Sequence, residues 1–413
     1  MTPAAPPRVC MTPAVVVITL TLLLGIQPVS TDLYLPALPT LQRELGASQG
    51  ATQLTLSALI ICFGLAQLVF GPLSDRFGRR PILLGGMALY TVASVLAALS
   101  GSIEGLIVWR GLQGVAMAAA VTCGRSIVRD LFQPHEGARV MSRALSGLGV
   151  IAMLSPLLGG VLVQWADWHA ALAMLALFGA LTLGLIVWRF EETLANPDPA
   201  ATQWRTVLAN WASVARHPSF RAWVTLLSCT YGGLFLYLAS SSFVYIQVLG
   251  TSRVGYGLIM ASNSLAYVAG TWLCRRLLVA RGMRRAVRLG GLFSLVGGLA
   301  SAALSLAGVH TVWAVLAPQW LFAIGHGIHQ PCGQAGAVGP FPEKAGAAAA
   351  LSGFIMMVAA FAVGQWLGRS FNGTVYPLTL GLGVFGILVA ATAWTLVQRD
   401  GEPKPVPRGG RPA

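Results

Sequence analysis

Charge is scarce in this 413-residue chain: only 10% of its residues are Asp, Glu, Lys or Arg, against about 25% in a soluble globular domain. Acids are scarcer still, 13 against 27 bases. A chain so poor in charge cannot cover its surface with polar groups, which excludes a soluble enzyme and makes lipid the solvent. Patterned cysteine is also missing. The six cysteines (Cys10, Cys62, Cys123, Cys229, Cys274, Cys332) are scattered, with no CxxC or metal-ligand spacing, and all but Cys10 fall in apolar runs. They read as small packing residues. No Ser-His-Asp set, P-loop or nucleotide fingerprint occurs. Hydrolysis and ATP coupling are therefore unsupported, and no cofactor or metal is expected. The first apolar run lacks a small-residue cleavage site and continues into Gln27-Pro28-Val29-Ser30-Thr31-Asp32. It reads as a retained span, not a removed leader.

What the chain has is hydrophobicity, 55% of it. Runs of about 20 apolar residues, enough to span a bilayer, recur along the whole length. Twelve are expected, at 13–35, 50–73, 81–100, 105–126, 138–164, 168–189, 220–246, 254–275, 286–308, 310–337, 346–368 and 375–398. Placing the N-terminus in the cytoplasm puts 23 of the Lys and Arg in or beside cytoplasmic segments. Three (Arg43, Arg253, Arg369) then lie in outer loops, and Arg110 lies inside a span. That asymmetry is the positive-inside rule, with both termini cytoplasmic. It also accounts for the net charge of +14 without nucleic acid, since no basic face with interleaved aromatics lies outside the membrane. The expected units are a six-helix bundle at 1–189, a linker at 190–219 rich in Pro, Asp and Trp, a second bundle at 220–399, and a disordered cytoplasmic tail at 400–413.

A short basic loop repeats at half-length. Gly71-Pro72-Leu73-Ser74-Asp75-Arg76-Phe77-Gly78-Arg79-Arg80-Pro81 separates two apolar runs. Ala280-Arg281-Gly282-Met283-Arg284-Arg285, 205 residues later, aligns with Asp75 to Arg80. Two similar membrane halves in tandem are the architecture of a transporter.

Four segments together resemble the major facilitator superfamily and, within it, the Bcr/CflA-type drug:proton antiporters. Loop 71–81 resembles the superfamily's cytoplasmic signature. Thr31-Asp32-Leu33-Tyr34-Leu35-Pro36-Ala37-Leu38-Pro39 resembles the first-span signature of the Bcr/CflA group. Arg110-Gly111-Leu112-Gln113-Gly114 is the third segment. The fourth, Gly149 to Gly160, is similar to the antiporter motif, with Ser155 where Gly usually precedes the proline. The resemblance implies an all-α membrane protein of two pseudo-symmetric six-helix bundles in a bacterial inner membrane. It also implies proton-coupled export of small amphipathic drugs or metabolites by a monomer. A proton-coupled uptake symporter for a neutral metabolite is the alternative on the same fold.

Site expectations follow. Asp32 and Arg110 are the acid and base inside spans, at one depth. Each costs about 2.5–3.5 kcal/mol or more in hydrocarbon, so they are expected to couple directly or through water and to carry protons. His326, one turn from His329 on the tenth span, is expected to join them. Gly71, Asp75, Arg76, Gly78, Arg79 and Arg80 are expected to gate, with Asp75 pairing with the arginines and reaching a helix N-terminus of the other half. Gly149, Pro156, Gly159 and Gly160 should allow close approach and a kink. Gln27, Thr31, Tyr34, Tyr231, Phe235, Tyr237, Asn263, His326 and Gln330 are expected to line a substrate cavity. Tyr245 and Trp313 are expected at the membrane interface.

Overall fold

The computed structural model describes residues 11–132 and 134–401. The first half runs through α1 (Pro13–Asp32), α2 (Leu38–Glu44), α3 (Gln49–Phe77), α4 (Arg79–Ala98), α5 (Ile103–Leu131), α6 (Pro134–Trp165) and α7 (Trp168–Arg189). A 3-10 turn (Pro199–Thr202) and α8 (Trp204–Arg216) connect it to the second half. That half holds α9 (Pro218–Ser242), α10 (Arg253–Leu306), α11 (Val312–Val338), α12 (Ala345–Ser370), α13 (Tyr376–Trp394) and the short α14 (Leu396–Asp400). Several long helices begin at a residue chosen to satisfy an orphan N–H. Ser48, Ser102, Asp167, Ser252 and Thr311 each accept from the backbone N–H three residues on.

The described residues form twelve membrane-spanning helices. Ten segments are long and apolar enough to cross a bilayer. The 54-residue α10 is one of these yet holds two spans, turned at Gly282 with φ 74° and ψ 170°. α11 falls short on apolarity because Gln319, His326, His329, Gln330 and Gln334 dilute it. It is nonetheless packed among α9, α10 and α12.

The turn at Gly282 corrects the repeat register. Its counterpart is Gly78, at φ 97°. Left-handed backbone favours glycine, so these two positions correspond and the offset is 204, not 205. Arg80 then aligns with Arg284. Both do the same job. Arg80 donates to the carbonyls of Phe190 (2.8 Å) and Val187 (3.3 Å) at the end of α7, and Arg284 donates to the carbonyl of Gln398 in α14, just past α13. A cation on the orphan carbonyls at the end of each half's last helix is favourable for helix capping and for the helix dipole.

The tail also needs correction at its start. The Gly401 carbonyl accepts from Trp223 Nε1 at 2.8 Å and from Ser219 Oγ at 3.2 Å, so Asp400 and Gly401 are docked on α9. The rest of the expected tail, 402–413, and Cys10 lie outside the described residues. Tyr245, expected at the interface, is fully buried beside Tyr237 and Tyr256; Trp313 is 66% exposed, as an interface residue would be.

The halves meet along α3–α12 and α6–α10, and they meet at one end. Define the loop end as the end carrying residues 71–81. The contacts lie toward the opposite, far end. Gln53 Nε2 donates to Ala239 O at 2.6 Å, and Arg253 Nη2 donates to Thr40 Oγ1 at 2.9 Å. Backbones touch here: a Cβ added at Gly160 would lie 2.5 Å from Arg253 O, and one at Gly368 would lie 3.2 Å from Gly50 Cα. The far end is closed, and the cleft between the bundles faces the loop end.

Gly160→Val puts this contact to the test. Overpacking costs about 1–3 kcal/mol, roughly a 5- to 150-fold shift away from far-end closure. Spin labels at Gln42 and Gln247, which now touch at 3.4 Å, should report a longer separation in the variant; an unchanged distance distribution would mean that α6–α10 packing does not hold the far end shut.

Candidate functional site

Asp32 is the last residue of α1. Beyond it the chain breaks into a 3-10 turn at Leu35–Ala37, forced by Pro36 and Pro39. The Asp32 carboxylate is half-buried and accepts from Thr31 Oγ1 at 2.7 Å. Thr31 Oγ1 also lies 3.0 Å from the Gln27 carbonyl. One hydroxyl proton thus has two acceptors, and the charged carboxylate is the stronger. Tyr231 and Tyr256 of the other half lie within electrostatic reach of Asp32. Gln27 Nε2 donates to Tyr231 OH at 3.4 Å, across the cleft.

Arg110 does not pair with Asp32. Its Nη2 donates to the Ser30 carbonyl at 2.8 Å and its Nη1 to Gln113 Oε1 at 2.8 Å. Its guanidinium lies 4.3 Å from the Tyr34 ring centre. The described residues contain no ion pair between Arg110 and Asp32. The reason is local. α1 stops at Asp32, so the carbonyls of its last turn have no helical donor. Arg110 takes one of them, at a helix C-terminus where a cation is favoured, and adds a cation–π contact. Ser30 Oγ meets Tyr90 OH at 2.7 Å, Gln113 Nε2 donates to Ser94 Oγ at 2.7 Å, and Tyr34 OH meets Thr55 Oγ1 at 2.8 Å. Tyr34, expected in the cavity, is therefore fully buried inside the first bundle. Arg110 couples to Asp32 only through two residues of α1 backbone.

The cleft is lined by Gln27, Phe63, Gln67, Arg125, Tyr231 and Gln330, with Met356 and Met357 among the others, and encloses about 70 Å³. Drug-sized sites occupy roughly 300–1,000 Å³, so this state is nearly shut and must spread to take a ligand. Of the expected lining, Gln27, Tyr231 and Gln330 are there. His326 is not: its Nδ1 lies 3.0 Å from Thr230 Oγ1 and its ring is 5.5 Å from that of Tyr267. It is buried between α9, α10 and α11. His329 turns to the Val287 carbonyl at 3.2 Å. Asn263 accepts from Gln319 Nε2 at 3.3 Å within the second bundle, and Tyr237 packs with Tyr245. Phe235 packs at the α3–α12 seam, 3.2 Å from where a Gly364 Cβ would sit. Proline-broken and polar-rich, α11 offered no means of telling from sequence which face turned inward.

In the antiporter segment, a Cβ at Gly159 would lie 2.1 Å from Leu33 O, just past Asp32, and Pro156 O lies 2.9 Å from where a Gly257 Cβ would sit. Gly159, Gly160 and Pro156 thus press on α1 and α10, whereas a Cβ at Gly149 would meet nothing.

Loop 71–81 is tied to its own half. Asp75 Oδ1 accepts from Arg79 Nη1 at 2.6 Å, and Asp130 Oδ2 accepts from Arg79 Nε at 2.9 Å. Ser74 Oγ accepts from the same Nη1 at 2.8 Å and donates to Gly71 O at 3.0 Å. Arg76 Nη1 donates to Thr202 Oγ1 at 2.5 Å, and Asp198 N donates to Asp75 O at 3.0 Å, so the linker is strapped to the loop. The expected contact of Asp75 with a helix N-terminus of the other half does not occur among the described residues, where its partners are Arg79 and Asp198. Instead the N-terminus of α4 is capped from the linker. Gly78 has no side chain to cap it, and Glu192 accepts from Arg79 N at 2.9 Å and Arg80 N at 3.0 Å. A carboxylate there satisfies orphan donors and the helix dipole. Glu192, Asp130, Arg125 and Gln67 went unnoticed in the sequence. The Glu191-Glu192 pair just past the end of α7, in a chain with 13 acids, was the available signal for Glu192.

Glu192→Ala should cost about 0.5–2 kcal/mol, the range for a lost helix cap, and lower the melting temperature in detergent. Asp75→Asn should cost less, because Asp75 is 46% exposed against 14% for Asp130 and surface pairs contribute little. A larger effect from Asp75→Asn would place the anchor of the loop in Asp75 after all.

The comparisons agree with this geometry. The family model described as Major Facilitator Superfamily matches residues 20–364. A Pseudomonas aeruginosa protein named chloramphenicol resistance protein is 30% identical over 86% of this chain and 85% of its own. Multidrug resistance protein D of Escherichia coli is 27% identical over 93% and 97%. The crystal structure of a D-xylose-proton symporter superposes with a TM-score of 0.70 at 17% identity, over 94% of this chain and 99% of that one; at that identity the likeness concerns the fold.

Proposed function

The chain belongs to the major facilitator superfamily, and we infer that it is a proton-coupled exporter of small amphipathic compounds, working by alternating access. The observation that carries the proton assignment is Asp32: a half-buried carboxylate with no cationic partner among the described residues, next to the closed far end of the cleft. A charge held in low dielectric is unfavourable by several kcal/mol, and protonation removes that cost. The relatives named for resistance support export over uptake.

The cycle follows from the contacts. In the described state the cleft faces the loop end, which we assign to the cytoplasm from the positive-inside bias, with both termini there. Asp32 releases its proton toward the cytoplasm and keeps the Thr31 hydroxyl proton. Compound entering the cleft meets Gln27, Tyr231 and Gln330. Closure at the loop end would bring loop 71–81 toward the second half, and the far-end seam of α6–α10 would part. Asp32 then faces the outside and is reprotonated. Its protonated carboxyl donates to Thr31, which turns its own proton to the Gln27 carbonyl. That switch sits one turn below the α1 break, beside the Ser30 carbonyl held by Arg110. The coupling unit is thus Asp32–Thr31 with Arg110 as a positioning residue. The working units are 1–189 and 220–399, joined by 190–219, in a monomer of a bacterial inner membrane.

Asp32→Asn tests this reading. In proteoliposomes with an imposed pH gradient, the variant should export chloramphenicol at the rate of protein-free vesicles while still exchanging it across a concentration gradient. Export at the parent's rate under the pH gradient would remove Asp32 from the coupling.

A further inference from the structure

Arg125 is the one charged side chain of the cleft lining, and the described structure gives it no hydrogen bond, ion pair or ring contact. It projects from the loop-end half of α5, exposed toward the cleft. Two carboxamides of the lining, Gln67 of α3 in the same half and Gln330 of α11 in the other, are also incompletely used. Gln67 is 4% exposed, and its Nε2 has no partner among the described residues; neither has Gln330 Oε1. The Tyr231 hydroxyl accepts from Gln27 and keeps its own proton to donate. The apolar part of the lining is Phe63, one turn from Gln67 on α3, with Met356 and Met357 of α12.

A forked cation, a carboxamide and a phenol beside apolar side chains in one cleft form a receptor for one chemistry. Building on the exporter reading above, we propose that this cleft selects amphipathic organic anions, weak acids in their carboxylate form, with Arg125 as the anchor. The guanidinium offers parallel N–H donors at the spacing of the two carboxylate oxygens. Gln67 supplies a further donor, its amide turned to suit, and the Met and Phe wall takes the hydrocarbon part. The anion does not repel the proton site. Arg110 marks the depth of Asp32, and Arg125 lies fifteen residues further along the same helix, on the order of 20 Å at 1.5 Å per residue. That is several times an ion-pair distance, and Coulomb energy falls with separation. Substrate and proton therefore communicate through bundle movement and not through direct charge contact.

Coumarin-3-carboxylate and its neutral isostere coumarin-3-carboxamide separate this reading from a purely hydrophobic cleft. Binding of each to the purified full-length protein is measured by fluorescence titration at pH 7. The parent should prefer the carboxylate by about 10-fold or more, the scale of one charge-assisted bond. Arg125→Gln should bring the ratio of the two affinities to about one, and Arg125→Lys, a point charge without the fork, should keep part of the preference. Equal affinities in the parent, no saturable carboxylate binding, or a preference surviving in Arg125→Gln would each overturn the proposal. So would a fall in both affinities with the ratio unchanged, which marks Arg125 as structural. Export of coumarin-3-carboxylate driven by a pH gradient, in proteoliposomes of the same preparation, reports on the exporter reading: no export above protein-free vesicles, with the carboxylate preference in binding intact, would sink that reading and leave the anion site standing.

Discussion

The end of α1 is the constraint on which the site depends. A helix that stops inside hydrocarbon leaves carbonyls that neither water nor a next turn can satisfy. Pro36 and Pro39 impose the stop at Asp32, and Arg110 answers it by donating to Ser30 O. Everything near the closed end of the cleft is arranged around that bond. Tyr34 stacks on the guanidinium, Gln113 orients it, and Ser94, Tyr90 and Thr55 fix the side chains that fix it. Because Arg110 is spent on backbone, Asp32 is left without a counter-charge. A carboxylate so placed keeps a free choice between two protonation states, whereas an ion pair with Arg110 would have fixed one of them.

The two halves began from one plan and have diverged where the function asks for asymmetry. Arg80 and Arg284 each hold the carbonyl end of the last helix in their half. The acids around the first loop have no counterparts. At the 204-residue offset Asp75 aligns with Val279, Asp130 with Gln334 and Glu192 with Leu396. A Gly282 Cβ would meet nothing, while one at Gly78 would strike Glu192. The first turn is therefore knotted to the linker by Arg76, Asp198 and Glu192, whereas the second turn is tied through Arg284 to Gln398 of α14. The linker also reaches the second half, where Lys344 Nζ donates to Ser213 Oγ at 3.0 Å, so movement of the linker is transmitted to both bundles.

The sequence disclosed the span number, the tandem halves and the importance of Asp32, Arg110 and loop 71–81, because lipid makes each charge and each break in apolarity conspicuous. Partner choice was harder. Arg110 and Asp32 share a depth, and nothing in spacing reveals that a terminated helix offers a carbonyl two residues from the acid. The repeat was visible, but matching Arg285 to Arg80 by residue type misplaced the register by one. Only the left-handed backbone at Gly78 and Gly282 settles it. α11 was ambiguous for another reason: polar residues on several faces left His326 and Gln330 equally eligible, and the fold turned Gln330 to the cleft and His326 to Thr230.

Alternating access asks that the far-end seam be tight yet separable. Its composition answers both needs. Beside Gln53 and Arg253, the seam has many glycines in close contact: Gly50 with Gly368, Gly64 with the Met357 side chain, Gly160 with Arg253 O, and Gly257 with Pro156 O. Such contacts gain dispersion energy over short distances and lose it within about an ångström of separation. Polar bonds across it include Gln53 to Ala239 and Arg253 to Thr40. When the seam parts, Gln53 and Arg253 enter water, which can take over their bonds. The same parting exposes Asp32, one turn away, to that water. Opening and proton uptake at Asp32 are therefore one event at the end of α1, and the helix break that created the problem of the orphan carbonyl also supplies the hinge.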